Sequence, residues 1–324
     1  MKNVIIRNPG DVDALEVLES PVPDCGENQL LVRVEYCGCN WADTQVRRGN
    51  YPHPIQYPLV PGFEISGTVA AVGASVHGMA IGQRVAGLVP QGGYAEFCVA
   101  DPAGLWRVPD TMQLDVAAAF QIQALTTYHM LHSVHALKAG DTVLVHAIGG
   151  GVGLYVTQLG VLAGARVIGT VGSAGKAAKA LEYGASHVVD RRTEDFVEQV
   201  MALTGGRGVD LAIDSLGGET LDRTFDCVRH LGHVINIGEA EGMPFQNIRE
   251  RLLPRSLTFT RFHAAHVLAY PDLWRKGLDF VVDAITRGHL AVPIVAIYPL
   301  ADARQMHARL EHRGVSGKLL LSTR

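Results

Sequence analysis

The sequence predicts a two-part α/β protein, with an irregular β domain followed by a doubly wound parallel sheet. Three observations carry this. The chain has 324 residues, 48% of them hydrophobic, which is enough for two cores. Short β-like runs punctuated by Pro and Gly fill residues 1 to about 120. From about residue 122 the pattern changes to alternating strand and helix.

In the first part, Gln29-Leu-Leu-Val-Arg-Val-Glu-Tyr36 alternates partly, Ser66-Gly-Thr-Val-Ala-Ala-Val-Gly73 has glycine ends, and Gly92-Gly-Tyr-Ala-Glu-Phe-Cys-Val99 is a third strand. The second part opens on Thr142-Val-Leu-Val-His-Ala147-Ile-Gly-Gly-Gly-Val-Gly153. A β-branched run ends there in a glycine cluster. Val152, Val156, Leu159 and Leu162 then recur at helical spacing. Gly164-Ala-Arg-Val-Ile-Gly-Thr-Val171 reads as the next strand, which completes a βαβ unit. Further strands are expected at His187–Asp190, Val209–Asp214, Gly232–Gly238 and Ser256–Phe262, with a helix over about Glu219–His230. Helices around Leu273–Ile285 and Ala301–Glu311 and strands at Val292–Ile297 and Lys318–Leu321 close the chain.

A strand, a glycine turn and a helix start leave backbone N–H groups at the positive end of a helix, where a pyrophosphate fits. Gly150, Gly151, Val152 and Gly153 are therefore candidate dinucleotide ligands. Gly150 and Gly153 match the second and third glycines of G-x-G-x-x-G, while Ile148 stands at the first. An NAD site normally carries Asp or Glu at the end of the second strand. Here that place reads Val171-Gly-Ser-Ala-Gly-Lys176 and has no carboxylate. Ser173, Lys176 and Arg191 instead suit a 2′-phosphate, so NADP(H) is favoured over NAD(H). Ile237 and Gly238 end a strand at the carboxyl edge, where ligands bind in open α/β sheets.

A net charge of −4 argues against a general nucleic-acid or membrane-surface binder. No apolar run reaches the length of a membrane span, and the N-terminal residues lack a signal-peptide pattern. Five scattered cysteines do not form a disulfide framework. A reduced, cytoplasmic protein is expected.

Asn40-Trp-Ala-Asp-Thr-Gln-Val-Arg-Arg-Gly-Asn-Tyr51 and Pro61-Gly-Phe-Glu-Ile-Ser-Gly67 add a second kind of information. With Gly92-Gly-Tyr-Ala-Glu96, Leu125-Thr-Thr-Tyr128, the glycine turn, Asp214-Ser-Leu-Gly217 and Ser316-Gly-Lys318, they run end to end in consistent order. The chain resembles the quinone oxidoreductase (zeta-crystallin-like) branch of the medium-chain dehydrogenase/reductase superfamily. The resemblance implies a GroES-like catalytic domain over 1–121, a Rossmann NADPH-binding domain over 122–262, and a return to the catalytic domain over 263–324. It also implies a homodimer, NADPH as cofactor, and a quinone or enone as substrate.

Zinc alcohol dehydrogenases of this superfamily carry Cys and His where this chain has Asn40 and Phe63. Phe63 has no donor and Asn40 is a poor zinc ligand. The structural-zinc lobe needs four cysteines, and Gly92 to Pro109 contains only Cys98. No metal is expected. Cys37 and Cys39 read as buried small residues. Without a metal, hydride is better sent to an acceptor that delocalises charge, such as a quinone or an activated C=C bond.

The resemblance implies that Asn40 and Tyr51 line the pocket beside the nicotinamide, Asn40 by orienting a carbonyl and Tyr51 by bonding an oxyanion or stacking. It also places Arg261 near the cleft, and Thr127 and Lys318 near the cofactor. Gln45 stands where the family has a second Tyr, which leaves the proton donor open. The loop Asn247–Arg255 holds three arginines and reads as a solvated or dimer-facing segment. The alternative function is an NADPH-binding redox sensor or structural protein with little catalysis.

Overall fold

The computed structural model describes residues 1–242, 247–312 and 314–324. The chain forms two compact units, one of Met1–Ile122 with Val292–Arg324, the other of Gln123–Ala291.

The second unit is built on six parallel strands: Thr142–His146, Arg166–Val171, His187–Asp190, Val209–Asp214, Val228–Asn236 and Thr258–Arg261. Taken in chain order, they lie third, second, first, fourth, fifth, sixth across the sheet. This is the doubly wound order of dinucleotide-binding folds, in which the chain reverses direction across the sheet between the first and fourth strands. Thr142–His146 and Val209–Asp214 are buried along their whole length. Their near-continuous apolar runs therefore suit a sheet covered on both faces.

Two elements depart from the sequence reading. The helix expected over Glu219–His230 ends at Thr224, and the fifth strand begins at Val228 rather than Gly232. Val228 pairs with Val209, but the next register pair is His233 with Leu211. The chain between them bulges at Leu231, whose φ is 57°. A bulge of this kind hides the strand start from a period-two pattern. The second departure concerns the return to the first unit, which comes at Val292 rather than 263. The helix Pro271–Thr286 stays with the second unit because Trp274 stacks on His129 and Phe280 lies against Tyr128.

The first unit carries a seven-stranded sheet. Its path runs Ile294–Pro299, Lys318–Ser322, Leu30–Cys39, Glu64–Val72, Arg84–Leu88 and Leu105–Arg107, with Phe97–Ala100 paired beside Leu30–Cys39. A hairpin of Lys2–Ile6 and Leu15–Glu19 stands apart. The expected strand from Gly92 narrows to Phe97–Ala100. The chain's last strand is thus an inner strand of the sheet. Helix Ala303–Glu311 locks onto the early chain through Arg47, a fully buried guanidinium 2.6 Å from Glu311. His307 adds a bond of 2.9 Å to the Tyr94 hydroxyl. Among the described residues, no helix is long and apolar enough to cross a membrane.

Leu320 sits on that inner strand, unexposed, against Ala118 and Ala119. Leu320→Ala is expected to cost about 2–5 kcal/mol, read from urea unfolding.

Candidate active site and dinucleotide cradle

In the second unit, the first strand ends at His146 and the helix Gly151–Leu162 begins after Gly150. Gly150 offers no side-chain cap, and the first turn holds no acid. The first N–H groups of a helix lack intrahelical partners, so this end is suited to an anion. A Cβ at Gly153 would lie 2.6 Å from the Ile148 Cα, so only glycine allows this approach of helix to strand. Ile148, which replaces the first fingerprint glycine, is fully buried. Its side chain fills the place a Cβ on Gly169 would take. The bulk gained on the turn is given up on the neighbouring strand.

Past the second strand, several candidates share one rim. The Arg191 Nη2 lies 3.8 Å from where a Gly172 Cβ would stand, and the Lys176 carbonyl lies 2.5 Å from a Cβ built on Gly149. Ser173 is in the turn between them, half-buried. Arg191 is steadied by Thr220 at 2.8 Å and Glu241 at 3.1 Å, while its Nε is buried without a partner. Thr127 is fully buried, and its hydroxyl bonds the Gln123 carbonyl at 2.9 Å and the Val152 carbonyl at 3.5 Å. It braces the glycine turn.

Ile237 and Gly238 follow the fifth strand at its carboxyl end. Asn236, which the sequence reading did not name, and Asp214, which opens the family-like run Asp214–Gly217, hold this edge. The Asn236 amide donates to Asp214 at 2.6 Å and to the Gly238 carbonyl at 2.8 Å. Asp214 also accepts from the Leu216 and Gly217 amides. Arg261 ends the sixth strand on the same edge, 3.8 Å from Glu239, with its side chain 44% exposed. It therefore sits in the unit of the cofactor candidates, and not in the unit of Asn40 and Tyr51.

The first unit contains a buried polar cluster. Asn40 precedes the helix Trp41–Arg48, and Glu64 opens its strand. Lys318 opens the last strand, and its ammonium donates to Glu64 Oε2 at 2.6 Å and Asn40 Oδ1 at 2.7 Å. The Asn40 Nδ2 donates to Glu64 Oε2 at 3.1 Å and the Gly38 carbonyl at 3.3 Å. An ammonium only donates and a carboxylate only accepts, so the two charges fix the amide's orientation. Both amide hydrogens are engaged, which leaves Asn40 no N–H with which to orient a carbonyl. Neither Lys318 nor Glu64 has side-chain exposure. Lys318 belongs to this cluster, in the first unit, and not to the unit of the glycine turn. A surface position for it is ruled out. A Cβ at Gly38 would collide with the Ala118 carbonyl oxygen and stand 2.8 Å from the Lys318 Cε, so the backbone packing beside the cluster depends on that glycine.

Tyr51 is half-buried, its ring 5.9 Å from Phe63 and inclined 28° to it. Burial, then the charge of Asp43, pushes its phenol pKa up, so the hydroxyl keeps its proton. Asp43 itself was not singled out from sequence. It is completely buried, with one oxygen on the Asn40 amide at 2.8 Å and the other unpartnered. Burial raises its pKa from 3.8 to about 7, against the pull of the Asn40 amide and Lys318.

Comparison with known proteins bears on this arrangement. Residues 26–110 match the alcohol dehydrogenase GroES-like domain family, and residues 151–284 the zinc-binding dehydrogenase family. A probable quinone oxidoreductase of Schizosaccharomyces pombe is 33% identical over 332 residues, covering 99% of this chain and 97% of its own. This chain belongs to the quinone oxidoreductase branch of the medium-chain dehydrogenase/reductase superfamily. A 2-haloacrylate reductase of Burkholderia sp is likewise 33% identical, with 98% and 97% covered. The solved quinone oxidoreductase of Escherichia coli, complexed with NADPH, superposes with a TM-score of 0.95 at 31% identity, covering 99% of this chain and all of that one.

The zinc in one family's description does not fit the donors present. Zinc needs several N, S or carboxylate donors converging on one point. Asn40 Oδ1 is taken by Lys318, and Phe63 offers only a ring face. Burial pushes the Cys37 and Cys39 thiols well above their ordinary range, so neither is a thiolate. Among the described residues, no three His, Cys, Asp or Glu side chains group for a metal.

The Asp43 shift sets a pH dependence. Between 3.8 and about 7 the folded chain keeps a proton that the unfolded chain releases. Stability is therefore highest below that window and falls as pH rises through it. Asp43→Asn is expected to flatten this part of the profile in thermal melts, and an unchanged profile would locate the titration elsewhere.

Proposed function

We propose that this quinone oxidoreductase relative reduces quinones or activated C=C bonds with NADPH. The observation that carries the reading is the Gly150–Gly153 cradle, with Lys176 and Arg191 and no carboxylate at the rim of the second strand. Bound there, NADPH supplies a hydride. Gly151, Val152 and Gly153 present backbone N–H groups to the pyrophosphate, while Gly150, whose own N–H is taken by the Ala147 carbonyl at 2.8 Å, keeps the turn bare. Ser173, Lys176 and Arg191 take the 2′-phosphate. Ile237 and Gly238 shape the carboxyl edge, Thr127 braces the turn from behind, and Arg261 serves this cofactor half.

The acceptor's chemistry falls to the first unit. In a quinone or enone the added electrons finish on an oxygen remote from the attacked carbon. Tyr51 donates a hydrogen bond to that oxygen, and its raised pKa keeps the donor protonated. The Tyr51 and Phe63 rings give a planar acceptor an aromatic wall. Asn40, held by Lys318 and Glu64, is a positioning residue of that wall. The family resemblance further supports a homodimer acting in the cytoplasm, which light scattering tests for the oligomer.

The deciding experiment is NADPH oxidation against 1,4-benzoquinone, an alkyl enone, a 2-haloacrylate and crotonyl-CoA. Turnover of one class, faster with NADPH than with NADH, is expected. Saturable NADPH binding with no turnover would favour the sensor or structural reading instead. On the preferred acceptor, Tyr51→Phe is expected to lower kcat/KM by roughly 10²-fold. An unchanged rate would reduce Tyr51 to packing.

A further inference from the structure

The parallel sheet of the second unit has two edges. The glycine turn follows His146 and so lies at the carboxyl ends of the strands. A second hollow, of about 390 Å³, lies at the amino ends. Val228, which opens the fifth strand, and Met201 give it apolar surface, while Arg207, Arg229, His230 and Arg255 give it charge. Of the three arginines in the loop Asn247–Arg255, Arg255 alone lines it. It is removed from the nucleotide edge by the length of the sheet.

The arginines are held from behind. Asp210 is 2% exposed and is not part of the wall. Its Oδ1 accepts from Arg207 and Arg229 at 2.5 Å each, and its Oδ2 accepts from Arg207 at 3.2 Å and the Thr142 amide at 2.8 Å. Arg255 is anchored by one nitrogen, Nη1, to the carbonyls of Phe225, Asp226 and Val228 at 2.8–3.1 Å. Arg229 Nη1 takes the His230 carbonyl at 2.6 Å. Among the described residues, Arg255 Nε and Nη2, Arg229 Nη2 and Arg207 Nε make no hydrogen bond. Two of the guanidinium charges thus share one carboxylate and the third, Arg255, is held by carbonyls alone, and their remaining donors come from three different segments.

We propose that this hollow binds a small anion carrying two linked phosphates, either free pyrophosphate or the diphosphate of a nucleotide. Guanidinium forks match phosphate oxygens in pairs, and forks fixed by a buried carboxylate lose little freedom on binding. Two linked phosphates offer more acceptor oxygens than one to the donors of Arg207, Arg229 and Arg255. The volume falls within the range of small-molecule sites. Because the hollow belongs to the second unit alone, the inference stands apart from the reading of catalysis.

The test is calorimetric titration of the full chain carrying one equivalent of NADPH, enough to fill the cradle without an excess of a dinucleotide that itself carries two linked phosphates. The probes are inorganic pyrophosphate and, separately, ADP. One further site per chain is expected, weakening as salt rises. Tighter binding of ADP identifies a nucleotide as the source, and tighter binding of pyrophosphate the free anion. Arg255→Gln and Arg207→Gln are each expected to weaken binding about tenfold or more, with NADPH affinity unchanged. Arg207 is 54% exposed, and its loss leaves Asp210 with Arg229 and Thr142, so at least this variant stays folded. No binding of either probe at millimolar concentration, or parental binding by the folded variants, would overturn the proposal.

Discussion

The first unit depends on one buried ion pair, Lys318 with Glu64, and on the amide of Asn40 that both of them hold. A charge without side-chain exposure has to be compensated where it stands, and removing one member of such a pair typically costs about 3–5 kcal/mol. The pair joins segments far apart in the chain. Lys318 arrives on the last strand, which is paired on one side with Leu30–Cys39 and on the other with Ile294–Pro299. Glu64 begins another strand, and its second oxygen accepts the Ile122 amide at 3.3 Å, at the end of the unit's first segment. Gly38 is bare because the Ala118 carbonyl and then the Lys318 stem lie over it. The amide of Asn40 is fixed because its neighbours can only donate on one side and only accept on the other.

This network changes how the site is to be understood. The positive charge at the centre of the unit is an ammonium that is part of the chain. It is already neutralised by Glu64, so it does not act as an open Lewis acid. The phenol of Tyr51, in the same unit, keeps its proton because of burial and the charge of Asp43, which is what the proposed donor role requires. The second unit divides its tasks between the two ends of its strands. At the carboxyl ends, Asp214 and Asn236 stiffen the loops around the nucleotide candidates. At the amino ends, Asp210 does the same for two arginines. In each case a buried carboxylate orients groups that face outward.

Much of the second unit was legible in the sequence. The run from Thr142 to Gly153 has a strand period, a turn composition and a helix period within a dozen residues, so local chemistry is enough to place it. The elements that were misread are governed by contacts distant in sequence. Val228 pairs with Val209 across a bulge at Leu231, and a bulge breaks the alternation by which a strand is recognised. The helix Pro271–Thr286 has an ordinary amphipathic pattern. Only its contacts with Tyr128 and His129 assign it to the second unit. Ile148 departed from the fingerprint, and the compensation at Gly169 lies on another strand.

The two-part α/β architecture is legible in the sequence, and so are the places of the glycine turn and of the basic residues past the second strand. These rest on residues close together in the chain, where spacing decides which side chains share a face. Tertiary structure alone decided the partners of the charged and polar residues. The family resemblance sets Lys318 near the cofactor, and only the sheet places it beside Glu64. Only the fold buries Asp43 and leaves one of its oxygens unpartnered. Only the strand starts bring Arg207, Arg229 and Arg255 around one hollow. Burial and pairing depend on what the fold brings to each side chain, and residues far away in the sequence supply it.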